Sequence, residues 1–366
     1  MSRNRIIYQS KDIFVSPTGG SNAVQLYRIQ SFSTNTEVAR QDVNEFGKLA
    51  ALDRVIIEQP TVSAEMTYFL MDGKNEQSLG LTIDGVTNCI SGILANDANL
   101  SQKNIYAITV PEGSDAHGID PNTAGNISVG IGNAFLTNYS VNLAVGEIPS
   151  ANISFEASNL EFASETGIPN PAIRTDVQGV PTPVGGVVNL PAGSTGTLSF
   201  AALRPGDLTI DFGDAQLQFG GAKLPGMTGT ENDSHVQSIS MEVPLSRTPQ
   251  QRLGNAFPFS RELDVPITVT MNVSANLADI TQGSLVDLIC STESTRDITV
   301  KLYGPCGVSE GDSALNMMFV LKGATLDSQN FSSAIGDNET VELTFTAQVG
   351  GANDQVKGLF ISGVAN

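Results

Sequence analysis

The two halves of this 366-residue chain run through the same series of segments in the same order. Val24 to Pro60 opens with Val-Gln, passes Arg40 and Phe46, and stops at a proline before TVSAEMTY. Val236 to Pro266 opens with Val-Gln, passes Arg252 and Phe257, and stops at a proline before ITVTMNVS. NIYAITV at 104–110 then matches DITVKLY at 297–303, each followed by a polar loop with glycine. Further on, Leu136-x-Asn138-Tyr139-Ser140 faces Leu326-x-x-x-Asn330-Phe331-Ser332. Beyond the next turn, Ile153-Ser154-Phe155-Glu156-Ala157 faces Leu343-Thr344-Phe345-Thr346-Ala347. Shared order over so much chain reads as duplication of one domain.

The matched segments alternate apolar and polar residues, the period of a strand with one buried face. The expected fold is mainly β: two tandem β-sandwich or barrel-like domains, each with a short flanking helix. The helix candidates are 79–100 in the first copy and 283–291 in the second. The expected division is an N-terminal arm over 1–23 and a first β domain over 24–160. A linker or inserted β segment follows over 161–233, then a second β domain over 234–366. Strands are expected at 127–135, at 136–145 and at 151–160. Two similar modules offer two similar lateral surfaces, so a ring of three chains imitates six-fold symmetry.

Charge narrows the function. The chain carries 38 acidic and 19 basic residues, a formal charge of −19. A nucleic-acid binder needs cations to replace phosphate counterions, and an anionic membrane attracts basic segments; neither fits. No run approaches the length of a membrane span, and the first residues lack the apolar core of a secretory signal. Cys89, Cys290 and Cys306 are widely spaced and read as free thiols.

Catalytic patterns are missing. His117 and His235 sit in polar, loop-like sequence, and no metal-ligand spacing, nucleophile elbow or phosphate loop occurs. Asp207, Asp211 and Asp214 form the closest carboxylate group and read as a solvated strand face. No catalytic residue, cofactor or metal is expected, and the chain reads as a structural protein and not an enzyme.

The block IQSFSTNTEVARQDVNEFGKLAALDRVIIEQPTVSAEMTYFLMDG (29–73) resembles tail tube and related virion proteins of tailed bacteriophages. The block MMFVLKGATLDSQNFSSAIGDNETVELTFTAQVG (317–350) is similar to their last strands. The resemblance implies two duplicated tail tube domains and self-association into trimeric, pseudo-hexameric rings that stack into a tube. It implies contact with other tail proteins, passage of DNA without specific binding, and residence in the virion after synthesis in the host bacterial cytoplasm. The loop near 34–53 resembles the family's stacking loop, which makes Arg40, Asp42 and Glu45 inter-ring contacts. Its counterpart, 246–262, reads as shorter and contributes Arg247, Arg252, Arg261 and Glu262. Rival readings are a baseplate, tail-completion or decoration protein, and a carbohydrate-binding adhesin, which the lack of Trp weakens.

Overall fold

The computed structural model describes residues 10–56, 59–95, 101–123, 125–164, 167–175, 177, 179, 181–193, 203–212, 218–219, 222–223, 235–276, 295–305, 314–333, 335–336 and 338–363. Within them lie eighteen strands of four residues or more and two short α-helices. The first nine strands are β1 (Lys11–Pro17), β2 (Ile29–Glu37), β3 (Arg40–Val43), β4 (Asp53–Ile56), β5 (Thr61–Phe69), β6 (Lys103–Thr109), β7 (Ile127–Ala144), β8 (Ser150–Ala157) and β9 (Asn159–Ala163). The second nine are β10 (Leu208–Asp211), β11 (His235–Pro244), β12 (Arg247–Gln250), β13 (Ser260–Leu263), β14 (Thr268–Asn276), β15 (Arg296–Tyr303), β16 (Leu315–Ser332), β17 (Thr340–Gln348) and β18 (Gly358–Gly363).

Both sets are connected identically, and every pairing is antiparallel. In the first, β1 pairs β6, β6 pairs β7, β7 pairs β9 and β8, β8 pairs β5, β5 pairs β2, and β3 pairs β4. In the second, β10 pairs β15, β15 pairs β16, β16 pairs β18 and β17, β17 pairs β14, β14 pairs β11, and β12 pairs β13. The irregularities recur as well. Register slips at Gln30 and Gln237, at Thr137 and Asp327, and at Asn104 and Asp297. A bulge needs a specific local conformation, so three bulges at matched places mark one fold used twice.

The registers correct the sequence alignment. Ile29 opposite Tyr68 matches Val236 opposite Ala275, so Val236 corresponds to Ile29 and not to Val24. From Ile29 to Phe69 the two copies then correspond residue for residue with Val236 to Asn276. The hairpin of the second copy is therefore as long as that of the first. Arg40 matches Arg247, and Arg54 matches Arg261. Each copy also recruits a leading strand, β1 from within 1–23 and β10 from within 161–233.

The expected helix at 79–100 is replaced over its described part by α1 (Lys74–Leu79) and α2 (Ser91–Ala95). Gly80 takes a left-handed conformation with φ of 98° and ends α1. The residues that follow add to the edge of β18, where Gly85 N–H donates to Ile361 O at 2.9 Å. Pairing across the chain thus overrides local propensity. The candidate at 283–291 lies outside the described residues. The two strands expected at 127–135 and 136–145 are one 18-residue strand, β7. Its first part pairs β6 and its second part pairs β8, with the bulge at Thr137 just beyond the change of partner.

Alternation sends one face of β5 and of β14 into the core. Val62, Ala64, Met66 and Tyr68 of β5 and Val269, Met271, Val273 and Ala275 of β14 are all buried in one cluster spanning both copies. Ile168, Val188 and Leu190 fold back over β1 and β6 and pack on Phe14, Tyr106 and Ile108. Gly132 permits this approach: a Cβ there would meet Pro171 O at 2.1 Å.

Glu76 lies within the first copy's core. Tyr68 Oη donates to its Oε1 at 2.8 Å, and Tyr139 Oη at 3.3 Å. Burial raises the Glu76 carboxyl above its ordinary value; hydrogen bonds from its own backbone and the two tyrosines offset part of this, and Asp72 adds to it. The folded chain therefore holds this proton more tightly than the unfolded chain. That stability is fully present below the unfolded value of about 4.3 and is lost as pH rises through the folded value. Glu76→Gln keeps an acceptor for both hydroxyls and removes the buried charge. We expect the variant to lose less stability than the unaltered chain between pH 4 and 8, measured by urea unfolding across that range.

Candidate functional site: an assembly edge

The two copies are joined by a strand pairing. Residues 138–144 of β7 lie antiparallel to residues 238–244 of β11, with Val141 opposite Met241 and Tyr139 opposite Val243. The seam continues at both ends, where Val145 N–H donates to Gln237 O at 2.9 Å and Leu245 N–H to Thr137 O at 2.8 Å. Hydrogen-bonded pairs alternate along an antiparallel ladder. Those end bonds therefore aim the N–H groups of Ile239, Met241 and Val243 at β7. Tyr139, Val141, Leu143, Ile239, Met241 and Val243 are all buried along the seam. The seam makes one eight-strand sheet in the order β2-β5-β8-β7-β11-β14-β17-β16.

Its two outer edges are the seam's own halves, unpaired among the described residues. β2 holds the place in the first copy that β11 holds in the second. Residues 328–332 of β16 hold the place of residues 138–142 of β7. Phe331, the counterpart of Val141, is 45% exposed where Val141 is 1% exposed. Thr34 and Thr36, the counterparts of buried Met241 and Val243, are exposed, and Phe32 is half-buried. Gln329, the counterpart of Tyr139, has a buried Nε2 without a hydrogen-bond partner among the described residues. Solvent-facing edges usually carry lysine, proline or a very short strand to prevent pairing. β2 has nine residues, no proline, no cation and a single charge, Glu37.

The open face of this sheet is polar and acidic. It presents Ser33 and Asn35 on β2, Glu65 on β5, Asn152 on β8, Asn142 on β7, Glu242 on β11, Asn272 on β14, Glu342 on β17 and Asn330 on β16. Every charged residue in this row is a glutamate.

The hairpins stand at one end of that face. Arg40, Asp42 and Glu45 are exposed on the β3–β4 hairpin, and Asp42 pairs with Arg54 at 3.0 Å. At the tip, Phe46 and Leu49 are fully exposed, as is Leu253 on the β12–β13 hairpin. The bases of the hairpins differ. Arg261 is buried against Glu156 of β8, and its guanidinium lies 5.8 Å from the Phe135 ring centre. Arg247 lies 4.8 Å over the same ring and donates to Arg261 O at 3.1 Å. Burial brings the Arg247 guanidinium down to about 10, with Glu262 opposing the shift and Arg261 adding to it. Arg252 stacks 5.4 Å over Phe259, and Glu262 accepts from Ser260. Arg247 and Arg261 thus lie together against Phe135, with Glu262 close enough to act on Arg247. Arg54 is the residue that sequence reading missed; its spacing from Arg40, equal to that of Arg261 from Arg247, was the available signal.

His117 Nδ1 lies 3.0 Å from Oδ1 of Asp12, whose carboxyl is raised by burial, with His117 and Gln25 opposing the shift. Asp207 pairs with Arg204 at 2.7 Å, Asp211 is exposed on β10, and Asp214 lies outside the described residues. Burial pushes the Cys89 thiol up to about 12, which makes it inert; Cys290 and Cys306 lie outside the described residues. A cleft of about 270 Å³ beside the seam is lined by Leu143, Pro149, Leu208, Ile210 and Ile239, with Gln237, Ser238 and Thr209 as its polar side chains. Among the described residues there is no group of three potential metal ligands, and no helix is long and apolar enough to cross a membrane. No protein-family model matches the chain, and no curated protein is similar to it in sequence.

Proposed function

We propose that this chain is a virion structural protein that forms the stacked rings of a phage tail tube, the conduit for DNA ejection. One observation carries the reading: the internal seam has a copy of each half exposed on the sheet's two outer edges. β16 of one chain pairs with β2 of the next as β7 pairs with β11 inside the chain. Such a contact is head-to-tail, and it closes into a ring when the rotation per copy divides a full turn. The closed ring is a β-barrel wall in which every edge is paired.

Wall size favours three chains. Strands spaced about 4.8 Å apart and tilted about 40° give a three-chain wall about 48 Å across at the backbone. Inward side chains reduce the bore to about 40 Å, whereas two chains give a wall about 32 Å across and a bore of about 24 Å, which leaves a hydrated duplex no clearance. The open face, with its glutamates and neutral amides and hydroxyls, forms the bore. Acidic walls repel phosphate, so DNA slides without being held. The two hairpins of equal length, each with an apolar tip, supply the contact between stacked rings, with Glu45 beside Phe46 at the first tip.

Negative-stain electron microscopy over a concentration series tests this. Long hollow tubes with three-fold end views support the tube. Single rings that never stack favour a baseplate or tail-completion role, which shares the ring and lacks the polymer.

A further inference from the structure

The pairing of β16 with β2 carries a second contact at its end, and this inference rests on the ring proposed above. Inside the chain, the seam brings the β12–β13 hairpin against the first copy, where Arg247 and Arg261 close on Phe135 and Glu156. Phe135 and Glu156 are direct cross-strand partners of β7 and β8. Their counterparts in the second copy are Thr325 and Thr346, cross-strand partners of β16 and β17. Both the aromatic ring and the carboxylate are therefore missing from those two positions. An acid stands beside them instead. Asp327 fills the bulge position, where Thr346 Oγ1 donates to its Oδ2 at 2.7 Å and Thr325 Oγ1 to its Oδ1 at 3.4 Å. Its carboxylate is held over the pair of threonines and remains exposed.

We infer that Arg40 and Arg54 of one chain close on Asp327 of a second copy, as an arginine–carboxylate anchor that locks the register of the strand pairing between chains. Three features converge on this contact. The arginines occupy the positions of Arg247 and Arg261 in an equally long hairpin. Asp327 lies where the seam geometry delivers them. The acid has moved from Glu156 to Asp327, so the site stays complementary in charge. Arg40 makes no ion pair among the described residues. The Arg54–Asp42 pair is solvent-exposed, 67% and 52% for the two side chains, so it contributes little and leaves Arg54 available. Desolvation between chains strengthens an arginine–carboxylate bond relative to the same pair in water. The contact is lateral, within one ring, at the base of the hairpin. The tip stays free for the neighbouring ring.

The test compares the unaltered chain with Asp327→Arg, with the double variant Arg40→Asp and Arg54→Asp, and with all three changes together. Sedimentation velocity over a concentration series reads the half-assembly concentration, and circular dichroism confirms that each chain folds. Either reversal raises the half-assembly concentration at least tenfold, and combining them recovers most of the loss. Unchanged assembly in the single reversals, or no recovery in the combined variant, overturns the anchor while leaving the ring intact. If the unaltered chain also stays monomeric, and Ser33→Cys with Ser332→Cys gives no link between chains, the ring falls and the anchor with it.

Discussion

On the proposed ring, replacing Thr34 with proline leaves the chain folded but monomeric at concentrations where the unaltered chain is expected to assemble. Thr34 matches Met241, whose N–H points into the internal seam, so the Thr34 N–H points out of the free edge. Its neighbours Ser33 and Asn35 aim their N–H groups at β5. Proline removes the outward donor and places its ring in the path of an incoming strand, while the internal ladder keeps its bonds. Leaving the facing carbonyl unpaired costs about 1–3 kcal/mol per junction, and each 1.4 kcal/mol is a factor of about ten. A closed three-chain ring meets this penalty at every junction, and its half-assembly concentration varies as the inverse square root of the assembly constant, so that concentration rises by at least about tenfold. Ser33→Pro is the contrasting control. It breaks the ladder to β5 and lowers the melting temperature of the monomer. Sedimentation velocity and thermal unfolding of both variants separate the two effects.

The second large effect sits at one position used in two ways. Tyr139→Ala destabilises the fold by about 3–5 kcal/mol, because it empties a fully buried aromatic site. The change also removes a hydroxyl from Glu76 and opens the seam opposite Val243. Against a total stability of about 5–15 kcal/mol this is severe, and for 366 residues at about 2.1 cal/mol/K each the melting temperature falls by about 4–7 °C. Gln329→Ala, at the matching place on the outer edge, changes the monomer's melting temperature by less than about 2 °C. Similar losses at both positions would mean that residues 328–332 are packed inside the monomer and not held for a second chain.

These contrasts explain what the sequence made legible. Long alternating strands were readable: TVSAEMTY, ITVTMNVS and the Ile153 and Leu343 segments all carry period-two patterns that bury one face. The duplication followed from their order. Finer alignment failed where chemistry had diverged. Two Val-Gln pairs suggested a match that the ladder does not make, since Val236 aligns with Ile29. Arg252 was matched with Arg40, although the partner of Arg40 is Arg247. The leading strand β1 is buried on both faces and so shows no alternation, and β10, read only as a solvated strand face, gave no sign of its pairing with β15. The edge itself was invisible. Tyr139 has become Gln329 and Val141 has become Phe331: β11 covers Tyr139 and Val141, whereas Gln329 and Phe331 lie at the sheet's outer edge. Local sequence records burial, but it does not record whether the covering strand comes from the same chain.

A disulfide across the proposed junction is the most direct measurement. Ser240 faces Asn142 in the internal seam, and their counterparts are Ser33 and Ser332. That pair falls between hydrogen-bonded pairs, where Cα atoms approach to about 4.5 Å and a cross-strand disulfide fits. In one chain the two positions lie on opposite edges of the eight-strand sheet, so a bond between them joins different chains. The chain with Ser33→Cys and Ser332→Cys, and with Cys290 and Cys306 changed to serine, is oxidised and run on a non-reducing gel. The account expects a covalent ladder that stops at three chains, with the trimer resistant to denaturant and released by reductant. Absence of cross-linked species, or a ladder running on without a stop at three, contradicts the closed ring.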